Sequence, residues 1–349
     1  MTTGHFKKIS GLIQRRGLDA FFVNDPATLF YLSGSPLTGY SVLIAGQKIL
    51  VISARMLIGQ LEKVYAGAEL IAGRNIADGL KKALKRIPAI KSLGFDPERT
   101  SFALYEKLLR KAGPFRLKSE PGLVDDARAV KTADEIEAIK CACGIAAGVM
   151  RAASGFIKPG ESEVSVAARI NRMFIEMDAE AAFPTIVAGG RNSAYPHHVN
   201  TGEKLPENGH VIVDLGCRYR GYCSDLTRVI FLGKISPIFR RYYDCVQSAR
   251  KAVFKTLRPG VKTGDVDRAA RAVLSRTGLG GLFIHSTGHG IGIEVHEKPS
   301  VSRGGADVLR PGMVLTIEPG VYRKGAGGIR IEDTVLITKN GCEILTKGA

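Results

Sequence analysis

Residues Val211 to Phe231 read VIVDLGCRYRGYCSDLTRVIF, an apolar strand, a polar turn and a second apolar strand. Each arm carries one aspartate, Asp214 and Asp225. A carboxylate inside a β-branched run is costly to bury unless a partner neutralises it. With the turn placed about Tyr219 and Arg220, Asp214 falls directly opposite Asp225, where cross-strand neighbours lie ~5 Å apart. Two carboxyl groups that close share a proton or hold a cation between them.

A second hairpin repeats the device. The stretches VLTIEPGVY and IRIEDTVLIT flank the glycine-rich KGAGG, and a turn centred on Gly325 sets Glu318 opposite Glu332. Between the hairpins, FIHSTGHGIGIEVHEKP supplies His285, His289 and His296. The glycines around His289 argue against a helix, and so against a helical zinc motif. Four carboxylates with one imidazole and no thiolate form a hard, oxygen-rich donor set. It suits two divalent ions of the manganese or cobalt kind, with zinc a poorer third candidate. Two metals ~4 Å apart share a bridging hydroxide at neutral pH, a hydrolytic nucleophile that needs neither Ser nor Cys. A proton-sharing dyad of the aspartic-protease kind is the alternative. It leaves four acids beside a histidine cluster unexplained.

The 349 residues are 45% hydrophobic, enough for two domains with cores of their own. Up to about Glu120, the strands DAFFV, SVLIA and KILVIS alternate with the amphipathic FKKISGLIQRR, IADGLKKALKRI and SFALYEKLLRKA, which reads as a small α/β domain. It holds no His, Asp or Glu cluster and no phosphate loop, so its expected work is to shape or cover a site elsewhere. The pattern breaks between Pro121 and Lys131. A capping box from Thr132 to Glu135 then opens a helix through Met150, and the boundary is set at 125/126. Beyond it, Lys158-Pro159-Gly160 leading after three residues to VSVAAR and Arg258-Pro259-Gly260 leading after five to VDRAAR make a weak repeat. Two such halves facing each other predict a central cleft.

Lys plus Arg total 50 against 33 Asp plus Glu, a formal net charge of +17 that brings nucleic acid into consideration. The basic residues are scattered over helix patterns without an aromatic-interleaved stripe, which favours a solvated surface over a nucleic-acid partner. The six cysteines do not read as a disulfide framework. No signal-peptide core or membrane-length run is apparent, so a soluble, cytoplasmic chain is expected.

Taken together, DLGCRYRGYCSDLTR, HSTGHGIGIEVHE, TIEPGVY and IRIED resemble the creatinase, prolidase, aminopeptidase P and methionine aminopeptidase superfamily with its pita-bread fold. The resemblance implies an α/β N-terminal domain over residues 1–125 and an α+β pita-bread catalytic domain over 126–349 with an internal pseudo-two-fold repeat. It implies Asp214, Asp225, His289, Glu318 and Glu332 as metal ligands, with Asp225 and Glu332 bridging two ions. Asp214 would hold one ion, and His289 with Glu318 the other. By the same resemblance Pro196-His197 matches a substrate-side histidine, although His198 follows where a small residue is usual. His285 and His296 match histidines lining the cleft, and Arg330 an arginine supporting the ligands. The implied activity is dinuclear-metal exopeptidase hydrolysis of the bond between an N-terminal residue and proline. In it a metal-bridging hydroxide attacks, Glu318 relays the proton, and His197 and His296 serve the oxyanion or substrate. Peptides with proline second are the expected substrates, and a homodimer the expected assembly. A methionine aminopeptidase-like activity, or a non-catalytic nucleic-acid- or protein-binding role, are the alternatives.

Overall fold

The computed structural model describes residues 3–87, 90–111 and 115–349. The chain divides into two compact units, Met1–Arg128 and Ala129–Ala349.

The first unit is built on a six-stranded sheet in the order Glu69–Ala72, Lys48–Ser53, Tyr40–Ala45, Ala20–Val23, Ser92–Phe95, Arg116–Ser119. The three apolar runs read as strands in the sequence form its antiparallel centre. The other strands, four residues each, join in parallel. They were not singled out in the sequence because ELIA, SLGF and RLKS carry at most three consecutive apolar residues, and RLKS only Leu117. Helices Thr3–Arg15, Ile76–Leu84 and Phe102–Lys111 follow the amphipathic stretches. The last residue of the third stretch, Ala112, lies outside the described residues. Side chains such as Phe22, Leu43, Leu50, Leu80 and Leu93 close the core.

In the second unit, Thr132 and Glu135 form the capping box, and the helix it opens runs as Ala133–Phe156, past Met150. Two helix pairs then flank two sets of strands. Ala133–Phe156 with Glu163–Glu176 covers a sheet ordered Leu226–Leu232, Gly209–Leu215, Ile186–Gly189. Pro237–Thr256 with Thr263–Arg276 covers a five-stranded sheet containing Gly288–Gly290, Val314–Ile317 and Asp333–Ile337. Each half has its own core, one around Val149, Phe174 and Val213, the other around Val253, Leu274 and Leu315. The internal repeat is therefore real, and the structure aligns its two copies. The Gly160 amide donates to the Leu205 carbonyl as Gly260 does to Leu309, and both helices start three residues on, at Glu163 and Thr263. Buried Val166, Ile170 and Phe174 thus correspond to Val266, Ala270 and Leu274. VSVAAR and VDRAAR are offset by two residues, as their spacings of three and five from Gly160 and Gly260 require.

The first hairpin is also corrected. Asp214 pairs with Thr227, and the register continues through Arg218 with Cys223 and Tyr219 with Tyr222. The turn is centred on Arg220 and Gly221, whose φ of 49° and 82° are both left-handed. That is the backbone a two-residue turn needs to match strand twist, and Gly221 adopts it without a Cβ clash. The slip from the expected pairing is two residues. Because side chains alternate with a period of two, both aspartates keep the same face. The second hairpin has the expected register, with Gly320 opposite Arg330 and Ile317 opposite Asp333, which brackets Glu318 and Glu332.

Candidate metal centre

Asp214 is the penultimate residue of the strand Gly209–Leu215, Asp225 immediately precedes Leu226–Leu232, and Glu318 and Glu332 lie in the breaks between Val314–Ile317 and Gly320–Arg323 and between Gly327–Arg330 and Asp333–Ile337. His289 sits in the strand Gly288–Gly290, wedged between two neighbours. A Cβ on Gly288 would lie 1.9 Å from the Thr316 carbonyl oxygen, and one on Gly290 2.1 Å from that of Lys298. Glycine on both sides of His289 is what lets three backbones close around the imidazole.

The five groups converge. His289 Nε2 lies 3.6 Å from Glu318 Oε1 and 3.8 Å from Asp225 Oδ2. One ligand atom from each of Asp225, His289 and Glu332 falls within 4.8 Å of the others. His289 Nδ1 is 3.1 Å from the Gly290 carbonyl and donates to it, which leaves Nε2 with its lone pair toward the acids. Burial, with His296 adding to it, lowers the His289 pKa to about 4, so the ring is neutral and able to ligate.

The carboxylates are held against their own electrostatics. Burial first, then the mutual repulsion of Asp214, Asp225 and Glu318, raises Asp225 and Glu332 well above ordinary values despite Arg330. Burial pushes Glu318 up to about 8, with Arg330 opposing and Asp214 adding. One arginine cannot balance four acids. Asp214 adds a further sign: its Oδ2 accepts from Arg330 Nη2 at 2.5 Å, while its buried Oδ1 has no hydrogen-bond partner among the described residues. A buried carboxylate oxygen without a donor is costly unless a cation occupies that direction. The donor set, the repulsion and the orphaned oxygen all fit divalent ions.

Around this cluster lies a network that the sequence reading only partly anticipated. Arg330 donates through Nε to Thr227 Oγ1 at 3.2 Å and through Nη1 to Tyr322 Oη at 2.9 Å and the Pro196 carbonyl at 3.1 Å. Thr227 Oγ1 in turn donates to Glu332 Oε2 at 2.6 Å. Thr227 was legible once the turn is centred correctly, since it faces Asp214. Tyr322 stood four residues after Glu318 in a stretch already singled out. His285 donates from Nδ1 to the Ser286 carbonyl at 2.7 Å, so its Nε2 accepts from Tyr322 Oη at 2.9 Å. Both ring nitrogens are thereby engaged, and burial, helped by Arg330, lowers the His285 pKa to about 4. His296 is exposed, with its ring centroid 4.2 Å from that of His289.

The adjacent histidines divide sharply. The His198 side chain is 9% exposed, with Nε2 2.7 Å from Glu163 Oε2. His197 is exposed and lies near His285 and His296, whose pKa values are lowered chiefly by burial and further by this neighbouring imidazole.

Residues 137–339 match the model of metallopeptidase family M24, and residues 6–130 match that of the creatinase/prolidase N-terminal domain. The chain belongs to metallopeptidase family M24. It is 37% identical over 343 residues to an Xaa-Pro dipeptidase of Pyrococcus horikoshii, covering 98% of this chain and 96% of that one. An Xaa-Pro dipeptidase structure from Bacillus anthracis superposes with a TM-score of 0.95 at 31% identity, covering 100% of this chain and 98% of the other. An X-Pro aminopeptidase structure from Thermotoga maritima gives 0.87 at 32% identity over 96% and 97% of the two chains. The pita-bread fold with a creatinase-type N-terminal domain is therefore that of this chain, and the M24 family implies divalent metal ions. Among the described residues, no helix is long and apolar enough to cross a membrane.

Proposed function

We propose that this chain is a metal-dependent exopeptidase that hydrolyses the bond between an N-terminal residue and proline. The observation that supports this most is the convergence of Asp225, His289 and Glu332 within 4.8 Å, beside Asp214 and Glu318, in a chain similar over nearly its whole length to an Xaa-Pro dipeptidase. Asp214, Asp225, His289, Glu318 and Glu332 would hold two divalent ions, manganese or cobalt ahead of zinc, with Asp225 and Glu332 shared between them. Such ions supply Lewis acidity at the scissile carbonyl and lower the pKa of water.

The residues of the chain do the rest. Glu318, a carboxyl in a buried and crowded site, accepts the proton released by attacking water and returns it to the leaving nitrogen. His197 and His296, the exposed imidazoles beside the acids, donate to the developing oxyanion or hold the substrate backbone. Arg330 donates to Asp214 and holds its carboxylate in orientation, and Tyr322 and His285 brace Arg330 in turn. The acidic end of the site receives the free α-amino group, which accounts for exopeptidase action. Proline in the second position presents an imide nitrogen with no N–H, so a site reading it cannot depend on that donor.

The catalytic domain is taken as residues 126–349 and the N-terminal domain as 1–125. The assembly is read as a cytoplasmic homodimer without a nucleic-acid partner. The experiment that tests the activity is product analysis on Ala-Pro, Ala-Pro-Ala and Met-Ala side by side with manganese. Release of alanine from Ala-Pro but not Ala-Pro-Ala gives a dipeptidase, and release from both an aminopeptidase. Cleavage of Met-Ala alone, or of none of the three, overturns the reading.

A further inference from the structure

The loop that carries His197 is organised by a residue outside the metal cluster. Glu163 is the first residue of the helix Glu163–Glu176 and is 1% exposed. Its Oε1 accepts from the Gly189 amide at 3.0 Å and from Asn192 Nδ2 at 2.9 Å. Its Oε2 accepts from the Thr201 amide at 2.9 Å and Thr201 Oγ1 at 3.0 Å, and meets His198 Nε2 at 2.7 Å. Every one of these donors belongs to a single segment, residues 189–201, with His197 inside it. The opposite side of that segment is held at the Pro196 carbonyl by Arg330. His197 therefore stands between two anchors, one made by the ligand network and one by Glu163.

The position is not a generic requirement of the helix start. In the second half of the domain the residue corresponding to Glu163 is Thr263, whose buried hydroxyl has no hydrogen-bond partner among the described residues. The acid is present only in the half whose following loop carries the exposed histidine. A carboxylate at a helix N-terminus is favoured by the backbone dipole. Burying it fully is still worthwhile only when its lone pairs are all met by donors, and here one loop meets them all.

We infer that Glu163 is a positioning residue for His197: its buried carboxylate gathers Gly189, Asn192, His198 and Thr201 so that the neighbouring imidazole faces the acids. This rests on the role given to His197 above. It also assigns His198 to the scaffold, as one of the donors that hold the loop.

The test compares Glu163→Gln, His197→Ala and the double variant, all manganese-loaded, on Ala-Pro, together with amide hydrogen exchange at Gly189 and Thr201. Glu163→Gln puts an NH2 where the loop offers donors. It is expected to lower kcat about 10- to 100-fold with KM within about threefold, as misplacement of a reacting group does. Exchange at the two amides should rise at least about tenfold. In the His197→Ala background the same substitution should change kcat by no more than about twofold, because both act through one imidazole. Full additivity of the two substitutions, or unchanged kcat in folded Glu163→Gln, overturns the proposal. If Glu163→Gln does not fold, Thr201→Val removes one donor only. It should then show a smaller kcat loss with the same non-additivity, and additivity there counts equally against it. If the parent cleaves no Xaa-Pro substrate, the functional reading fails. Amide exchange then decides separately whether Glu163 holds the loop, and unchanged protection in the variant overturns the proposal.

Discussion

Asp225 and Glu332 are the residues on which the dinuclear reading turns, because each lies buried against other carboxylates with only Arg330 to offset them. Asp225→Asn and Glu332→Gln preserve side-chain size but replace an anion by a neutral amide, a poor bridge between two cations. Each should lower turnover by at least ~1,000-fold and reduce bound metal measured by elemental analysis. Without metal, each should melt no lower than the metal-free parent, since like-charge repulsion is relieved. Near-normal turnover with two bound ions would show the bridging assignment wrong. At His197 and His198 the contrast is finer. His197→Ala should lower kcat ~100-fold or more while leaving metal content and Tm near the parent, as expected for loss of an oxyanion donor. His198→Ala removes one of several contacts to Glu163 and should cost much less in kcat. The reverse order would place His198 against the substrate.

At the scale of elements, the strand Gly209–Leu215 carries a pH-sensitive packing residue away from the acids. His210 is 1% exposed, tilted against Phe239 with ring centroids 4.3 Å apart, and its Nε2 lies 3.0 Å from Ser193 Oγ. Burial lowers its pKa from 6.5 to about 4, so the folded state keeps it neutral where the unfolded chain would protonate it. Between those values the unfolded state binds the extra proton. The contribution is fully present above pH 6.5 and is lost as pH falls toward 4, up to about 3 kcal/mol in all. His210→Gln, which removes the titration, should flatten the pH dependence of Tm over that window relative to the parent. An unchanged slope would assign the acid sensitivity to other groups. The same scale explains the slip in the first hairpin. A one-residue error would have turned Asp214 and Asp225 to opposite faces, whereas a two-residue error left the site intact.

For the molecule as a whole, the acids at the centre make metal and stability inseparable. A ligand that binds only the folded state stabilises it by RT ln(1 + [L]/Kd), about 2.7 kcal/mol at a hundredfold excess over Kd. Chelation should therefore abolish Xaa-Pro hydrolysis and lower the Tm together, and added manganese or cobalt should restore both. Full turnover in metal-free protein would remove the metal-dependent reading altogether.

What the sequence determined by itself was local. Alternating and apolar runs specified the long strands, Thr132 and Glu135 the start of a helix, and the spacing about Gly325 the register that sets Glu318 against Glu332. The five candidate ligands could be named because acids in apolar strands are conspicuous against their surroundings. Three strands of the first unit were not legible, since ELIA, SLGF and RLKS lack the four-residue apolar run that marks AFFV. Nor was the turn at Arg220 and Gly221, where two left-handed residues decide the pairing and only one of them is glycine. Tertiary structure alone decided which of His197 and His198 is free. The choice is made by Glu163, which is 35 residues away from His198 in the chain but 2.7 Å away in space. It also decided that Thr227 and Tyr322 brace Arg330, because hydrogen bonds between side chains on separate strands follow from packing and leave no period in the sequence.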